Sequence, residues 1–196
     1  GAPLAIHRGG STAAARRRAI ELLDLAGIPG PDRAVDRYPH QLSGGQRQRV
    51  MIAIAIACEP KLLIADEPTT ALDVTVQAQI LALIARLGRD MGLGCLLITH
   101  DLGVVASTCR RASVMYAGRV VEEGPVGVVF RTPRHRYTRA LLDTIPARNR
   151  PGTRLPAIAG LVPKPGARGA GCAFAERCAA PLARCATERP ILEGAE

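Results

Sequence analysis

The stretch Leu62-Leu63-Ile64-Ala65-Asp66-Glu67 decides the fold class of this chain: a short apolar run that ends in two adjacent acids. A second apolar run, Gly94-Cys95-Leu96-Leu97-Ile98-Thr99, ends at His100. Between the two runs, apolar residues recur at helical spacing from about Val74 to Asp90. Two short buried strands separated by a helix predict a parallel sheet of βαβ units, and therefore an α/β fold.

Polar side chains follow both predicted strands. In a parallel sheet, ligands bind beyond the carboxyl ends of the strands, and we expect Asp66, Glu67 and His100 to lie at that edge. Adjacent acids suit a metal–nucleotide site, in which the first holds Mg²⁺ and the second orients or deprotonates an attacking water. A helix-capping acid pair in a turn is the alternative, and it is the commoner use of such a pair alone.

The segment Ser43-Gly44-Gly45-Gln46 gives a second signal, because it leads into a strongly helical run that reaches Cys58. Glycines allow backbone N–H groups to approach an anion, and the beginning of a helix adds its positive end. A simple capped turn is again the alternative, since Ser is a favoured N-cap.

Four motifs in order resemble those of ATP-binding-cassette (ABC) ATPases. Leu42–Arg49 is similar to the signature sequence, Leu62–Pro68 to the Walker B strand, Ala71–Asp73 to the D-loop and Ile98–Asp101 to the switch-histidine loop. The resemblance implies a P-loop-type ABC core, a parallel sheet flanked by helices, that binds ATP and Mg²⁺. It also implies that Asp66 supports Mg²⁺, that Glu67 polarises the attacking water, and that His100 contacts the terminal phosphate.

The same resemblance implies that the signature turn, Ser43–Gln46, contacts a nucleotide that is held mainly by a second cassette. Ser43, the amides of Gly44 and Gly45, and Gln46 would bind its γ-phosphate region. Asp73 would shape the interface between the two cassettes.

The phosphate-binding loop of this superfamily, G-x-x-x-x-G-K-[ST], does not occur in the sequence. The only lysines are Lys61, which follows Pro60, and Lys164, which lies between prolines. We expect the loop to lie upstream of Gly1 in a longer protein. We therefore expect this chain alone not to hold ATP firmly or to hydrolyse it.

We predict three segments. Residues 1–45 form the end of the helical subdomain, 46–146 the C-terminal part of the α/β core, and 147–196 a small extension that begins where Pro and Gly become frequent. Helices are expected at 11–26 and 137–144, and a strand pair at 112–116 and 119–122.

Further segments resemble the ATPases of dipeptide and oligopeptide importers: Tyr38–Leu42, Asp66–Thr75, Tyr116–Arg119, Pro133–Thr138 and Gly171–Cys185. The resemblance implies an energy-coupling subunit, peripheral on the cytoplasmic face of the membrane. Its partners would be a second ABC ATPase subunit, identical or homologous, two membrane permease subunits and an extracytoplasmic solute-binding protein. Dipeptides, longer peptides, nickel and sugars all remain open as the transported solute.

The cysteines fall into two groups. The tail of this importer family normally carries four, which in some members hold a [4Fe–4S] cluster; here Cys172, Cys178 and Cys185 are spaced C-x₅-C-x₆-C without a fourth. Such a cluster in the full-length protein, zinc, and no metal at all stay open. The other three lie in apolar stretches and are expected to be small core residues: Cys58, Cys95 and Cys109.

The net charge of +9 has three possible explanations: a solvated, arginine-rich surface, binding to nucleic acid, or binding to an anionic membrane. Arginines recur between 131 and 154 with little aromatic interleaving, which argues against nucleic acid as a partner. Two rival functions remain: a soluble ABC ATPase acting on nucleic acid or ribosomes, and a non-catalytic remnant.

The longest apolar run, Val50–Cys58, is about half of the roughly 20 residues that cross a bilayer.

Overall fold

A computed structural model gives the structure of residues 11–164, 166 and 169–192. The chain divides into two compact units between His100 and Asp101. The first unit contains α1 (Thr12–Leu25), α2 (Pro31–Ala34), a 3₁₀ turn (Pro39–Gln41), α3 (Gly44–Ile56), β1 (Leu62–Asp66), α4 (Val74–Asp90) and β2 (Gly94–Ile98). The second contains α5 (Leu102–Thr108), β3 (Arg111–Tyr116), β4 (Arg119–Pro125), α6 (Val126–Arg131), α7 (Arg136–Asp143) and the 3₁₀ turns Pro146–Arg148, Ala175–Arg177 and Ala183–Ala186.

The predicted βαβ unit is confirmed. Strands β1 and β2 are parallel, with Leu62 opposite Gly94 and Asp66 opposite Ile98. The backbone N–H of Glu67 continues the ladder by donating to the carbonyl oxygen of Ile98 at 2.9 Å. Both strands therefore end at the same edge, which is where the predicted site residues begin.

Helix α4 contributes one apolar face to the core of the first unit. Its buried residues, Ile80, Leu83, Ile84 and Leu87, follow the i, i+3, i+4, i+7 spacing that places them on one face. They belong to one cluster with buried residues of α1, α3 and β1. Burying an apolar side chain of this size stabilises a fold by about 1.5–3 kcal/mol.

Helix α1 begins and ends where the sequence predicts. The hydroxyl of Ser11 accepts from the backbone N–H of Ala14 at 3.2 Å, which caps the helix. After Leu25 the chain turns through Gly27, whose φ of 75° is a conformation that favours glycine.

The prediction that both strands are buried is wrong for one face of the sheet. Leu62, Ile64, Leu96 and Ile98 share that face and are 44–60% exposed. Within the described residues each strand has a single neighbouring strand. The opposite face of the sheet carries Leu63 and Ala65, which belong to the core together with buried residues of α3 and α4. As far as the structure describes the chain, one face of this sheet is therefore an exposed apolar surface.

The exposure of β2 also corrects an expectation about cysteines. Cys95 is exposed rather than a core residue, while Cys58 and Cys109 are half-buried. An apolar sequence neighbourhood predicted burial, but β2 has most of its residues exposed.

The second unit is built on a β3–β4 hairpin, as predicted. Its two-residue turn, Ala117 and Gly118, has positive φ at both positions, which matches the twist of an antiparallel pair. The carboxylate of Glu122 is buried and accepts from the backbone N–H groups of Arg134 (2.8 Å) and His135 (3.0 Å). A buried carboxylate needs such donors, and they fix the start of α7 to the hairpin.

An aromatic cluster joins the extension to this hairpin. The Phe174 ring is 2% exposed and packs against Tyr116 and Tyr137, with centroids 5.2 and 5.4 Å apart. Arg177 donates to the Tyr116 hydroxyl at 3.1 Å and to the carbonyl oxygens of Ile158 and Ala159. These contacts therefore tie residues 158–159 and 174–177 to the hairpin.

The three predicted segments stay predictions, and the part of the first segment that precedes Ser11 lies outside the described residues. Among the residues that the structure describes, no helix combines the length and the apolar character needed to cross a membrane.

Replacing Ile64 and Leu96 by Thr should reduce self-association of the chain, because exposed apolar patches favour association. Thr suits a strand as well as Ile does. Light scattering with size-exclusion chromatography measures the effect. The matched control, Leu63→Thr, lies on the buried face and should instead lower the free energy of unfolding by roughly 1–3 kcal/mol. Equal self-association in the double variant and the unsubstituted chain would contradict this prediction.

Candidate active site

Glu67 and His100 meet at the carboxyl ends of β1 and β2. The imidazole Nδ1 of His100 lies 2.7 Å from Oε1 of Glu67, and the backbone N–H of His100 donates to the same oxygen at 3.3 Å. The imidazole side chain is 85% exposed and the Glu67 side chain 38% exposed. The carboxylate is thus held in place while solvent still reaches the pair.

Thr70 is a further member of this cluster that sequence reasoning missed. Its hydroxyl donates to Oε2 of Glu67 at 2.9 Å, so both carboxylate oxygens have a partner. Glu67 itself has a φ of 46°, which is uncommon for a residue with a side chain and turns the chain back so that Thr70 can reach it. A hydroxyl residue three positions after the second acid was the available signal.

The hydrogen bonds to Glu67 lower the pKa of its carboxyl. The side chain of His100 is the largest cause and the hydroxyl of Thr70 the second. Glu67 therefore remains an ionised carboxylate at neutral pH, as a residue that polarises water must. Because its folded pKa is lowered, the pair contributes to stability above the unfolded pKa, and that contribution is lost as pH falls through the folded pKa.

Asp66 occupies the last position of β1, opposite Ile98, and is exposed. Asp66 immediately precedes Glu67 in the chain. Carboxylate oxygens are the donors that Mg²⁺ prefers, and the exposed end of a strand leaves room for the phosphates and waters that complete its coordination. The donor chemistry at this position therefore fits Mg²⁺.

The predicted signature turn caps α3. The hydroxyl of Ser43 accepts from the backbone N–H of Gln46 at 3.2 Å, while Oε1 of Gln46 accepts from the backbone N–H of Ser43 at 3.1 Å. This reciprocal pair is a capping box. It confirms the capped turn, and it leaves Gly44 and Gly45 in the first turn, where backbone N–H groups lack helical acceptors.

The signature turn packs directly on the predicted D-loop. A Cβ on Gly45 would lie 2.7 Å from Cγ1 of Val76, and a Cβ on Gly44 would lie 3.5 Å from Leu72. Asp73 caps α4 by accepting from the backbone N–H of Val76 at 2.9 Å. The structure therefore brings the Ser43 turn and Asp73 together, while Glu67 and His100 form their own pair.

Cys172, Cys178 and Cys185 lie in a closely packed segment of the second unit. Across residues 11–164, 166 and 169–192, no group of three or more His, Cys, Asp or Glu side chains could hold a metal ion. The three cysteines are half-buried, and the backbone N–H of Cys172 donates to the carbonyl oxygen of Cys185 at 2.9 Å. A Cβ on Gly171 would overlap the carbonyl oxygens of Cys185 and Ala186, so close backbone packing shapes this segment. An iron–sulphur cluster at these cysteines stays a prediction for the full-length protein.

Two family profiles match different parts of the chain. The profile described as ABC transporter matches residues 5–70, which include the signature turn and the strand that carries Asp66 and Glu67. The profile described as oligopeptide/dipeptide transporter, C-terminal region, matches residues 121–185. The chain belongs to the ABC transporter ATP-binding family, in its oligopeptide/dipeptide branch. Both predictions of this membership are confirmed.

Relatives of this ABC protein are named as peptide import ATP-binding proteins. One from Brucella abortus is 53% identical over 189 residues, which cover 96% of this chain and 57% of the relative. A relative from Sinorhizobium fredii, named as a peptide ABC transporter ATP-binding protein, is 54% identical over 188 residues, 95% of this chain and 56% of the relative. The chain thus spans just over half the length of these relatives.

Solved ABC cassettes share the fold. The dimeric structure of a bacterial ABC transporter cassette is 36% identical, with a TM-score of 0.52, and the match covers 60% of this chain and 49% of that one. A dimeric post-hydrolysis state of such a cassette, bound to ADP and Pi, matches equally well. The predicted α/β ABC ATPase fold is confirmed.

Substituting Gly45 by Ala should lower the free energy of unfolding by about 1–3 kcal/mol, because the new methyl group meets the stiff side chain of Val76. Chemical denaturation measures this. The double variant Gly45→Ala/Val76→Ala should lose less than the sum of the two single variants, since Val76→Ala removes the overlapping atom. Strict additivity would show that the signature turn does not pack on Val76.

Replacing His100 by Ala should raise the pKa of Glu67 towards its ordinary value of 4.5, and Thr70→Val should raise it less. Carboxyl ¹³C NMR titration measures the pKa, with Glu67→Gln to assign the signal. The neighbouring variant Thr69→Val serves as the control and should leave the titration unchanged. An unchanged titration in His100→Ala would refute the pairing.

Proposed function

We propose that this chain supplies the catalytic carboxylate, the switch histidine and the signature turn of an ATPase that drives peptide import. The observation that carries the proposal is the convergence of Glu67 and His100, 2.7 Å apart, beyond two adjacent parallel strands. ATP hydrolysis needs an ionised base beside a group that contacts the terminal phosphate, and this pair has both chemical types.

Glu67 orients and polarises the attacking water. Its carboxylate accepts from Thr70 at Oε2 and from His100 at Oε1, and a carboxylate has further lone pairs for a water. His100, whose ring is exposed, leaves Oε1 to contact the terminal phosphate. Thr70 then remains as the partner that keeps the carboxylate in place.

The signature turn serves a nucleotide held by a second cassette. Ser43, Gly44, Gly45 and Gln46 stand at the positive end of α3, which favours the approach of a phosphate anion. Asp73, fixed at the start of α4 beside this turn, shapes the interface between the two cassettes. The dimeric state of the matching cassette structures supports this arrangement.

Mg²⁺, when bound with ATP, neutralises charge on the phosphates. Asp66 would hold it, directly or through a water, at the exposed end of β1. Glu67 is left to act on the water, since the Thr70 hydroxyl keeps its carboxylate in place.

The partners follow from the branch of the family. We propose a second ABC ATPase subunit, two membrane permease subunits and an extracytoplasmic solute-binding protein, with this chain peripheral on the cytoplasmic face of the membrane. The names of the relatives and the match to the oligopeptide/dipeptide C-terminal region support import over action on nucleic acid or ribosomes.

A fusion tests the catalytic assignment. The part of the Brucella abortus relative that this chain does not cover is joined to the chain, because the printed sequence has no phosphate-binding loop. In the fusion, Glu67→Gln should lower kcat for ATP at least about 100-fold, with KM close to that of the unsubstituted fusion, because a general base acts in the transition state.

The matched control is Glu21→Gln, an exposed carboxylate that pairs with Arg18 on the surface of α1. It should leave kcat unchanged, since such surface pairs contribute little. Full turnover in the Glu67→Gln fusion would overturn the proposed role. Co-purification with nucleic acid instead of permease subunits would overturn the import assignment.

A further inference from the structure

A cavity of about 350 Å³ lies in the second unit, between the start of β4 and the C-terminal segment. Its volume falls within the range of small-molecule sites, about 300–1,000 Å³. Such sites combine an apolar lining with a few polar groups that orient the ligand, and this cavity has both. Its lining includes Arg119, Arg189, His135, Phe174, Val120 and Ile191.

The charged groups of the lining are all basic. Arg119 and Arg189 both line the cavity, and its lining contains no Asp or Glu. Within the part of the chain that the structure describes, neither guanidinium forms an ion pair with a carboxylate. Two guanidiniums without an acidic partner favour an anion, and their planar donors suit a carboxylate or phosphate.

His135 adds a neutral donor. Its Nδ1 accepts from the backbone N–H of Tyr137 at 3.1 Å, which places the ring proton on Nε2. Burial lowers the pKa of His135, and so the ring is neutral at pH 7. The polar groups contributed by Arg119, Arg189 and His135 are then N–H donors, and the matching ligand group is an acceptor.

The apolar part of the lining is held in place by an aromatic cluster behind it. The Phe174 ring, which lines the cavity, packs against Tyr116 and Tyr137, and Tyr116 is itself 4% exposed. Val120 and Ile191 contribute aliphatic groups. Exposed aliphatic side chains beside a rigid, buried aromatic cluster favour a ligand with a hydrophobic body.

We propose that this cavity binds a small organic anion, whose oxyanion head group lies against Arg119 and Arg189 and whose apolar body packs against the exposed side chains of Val120 and Ile191. A ligand with an ammonium group is disfavoured by the two guanidiniums. The site belongs to the second unit alone, and its existence does not depend on ATP hydrolysis by Glu67.

The test is a titration of the full chain, followed by ¹H–¹⁵N amide NMR, with three probes that share an aromatic body. These are 3-phenylpropionate, phenyl phosphate and the uncharged 3-phenylpropanamide. Saturable shifts of the amides of Val120, Val121 and Ala173 are expected with the two anions. The tighter anion identifies the head group. The uncharged amide should bind about 10-fold more weakly, since it lacks the charge-assisted hydrogen bonds.

Arg119→Gln and Arg189→Gln should each raise Kd for the anions about 10-fold. The control, Arg184→Gln, removes an exposed arginine of the same unit that does not line the cavity, and should leave Kd unchanged. The proposal is overturned if neither anion gives saturable shifts, if the uncharged amide binds as tightly as the acid, or if Arg184→Gln weakens binding as much as the lining variants. Should one variant fail to fold, the comparison of 3-phenylpropionate with 3-phenylpropanamide on the unsubstituted chain still tests the proposal.

Discussion

The parallel register of β1 and β2 is the constraint on which the candidate site depends. With Asp66 opposite Ile98, and the Glu67 N–H donating to the Ile98 carbonyl, two strands that are separated by a whole helix end at the same level. A slip of one residue would turn each side chain to the other face of the sheet. Register, rather than the mere presence of an acid and a histidine, places the Glu67 carboxylate within hydrogen-bond distance of His100.

The position of the signature turn depends on a second set of contacts, independent of the strand register. A capping box fixes Ser43 and Gln46 at the start of α3, and the absence of a side chain at Gly45 lets this turn lie against Val76 at the start of α4. Glycine is needed there for close packing, and in the proposed function it also leaves backbone N–H groups open to an anion. Any movement of α4 would therefore act on the Ser43 turn through this contact.

Strong local patterns made much of the fold predictable. The βαβ unit, the hairpin at Ala117–Gly118 and the capped start of α3 follow from periodicity, turn residues and cap residues close together in sequence. Burial depends on what lies across the sheet, and hence the exposure of Cys95 could not be read from its apolar neighbours. The hydroxyl of Thr70 was visible in the sequence, but its hydrogen bond to Glu67 also depends on the left-handed φ of Glu67, and no sequence pattern indicates that φ. The family resemblance implied a metal site at Cys172, Cys178 and Cys185, but a resemblance does not determine how the three side chains are oriented.

Because the catalytic assignment requires Glu67 and His100 to share one edge of the sheet, a crystal structure of the nucleotide-free chain at neutral pH tests it most directly. We predict that Nδ1 of His100 lies within hydrogen-bond distance of Oε1 of Glu67, with the Thr70 hydroxyl on the other oxygen. Side chains of Glu67 and His100 on opposite faces of the sheet, too far apart for even a bridging water, would contradict the assignment.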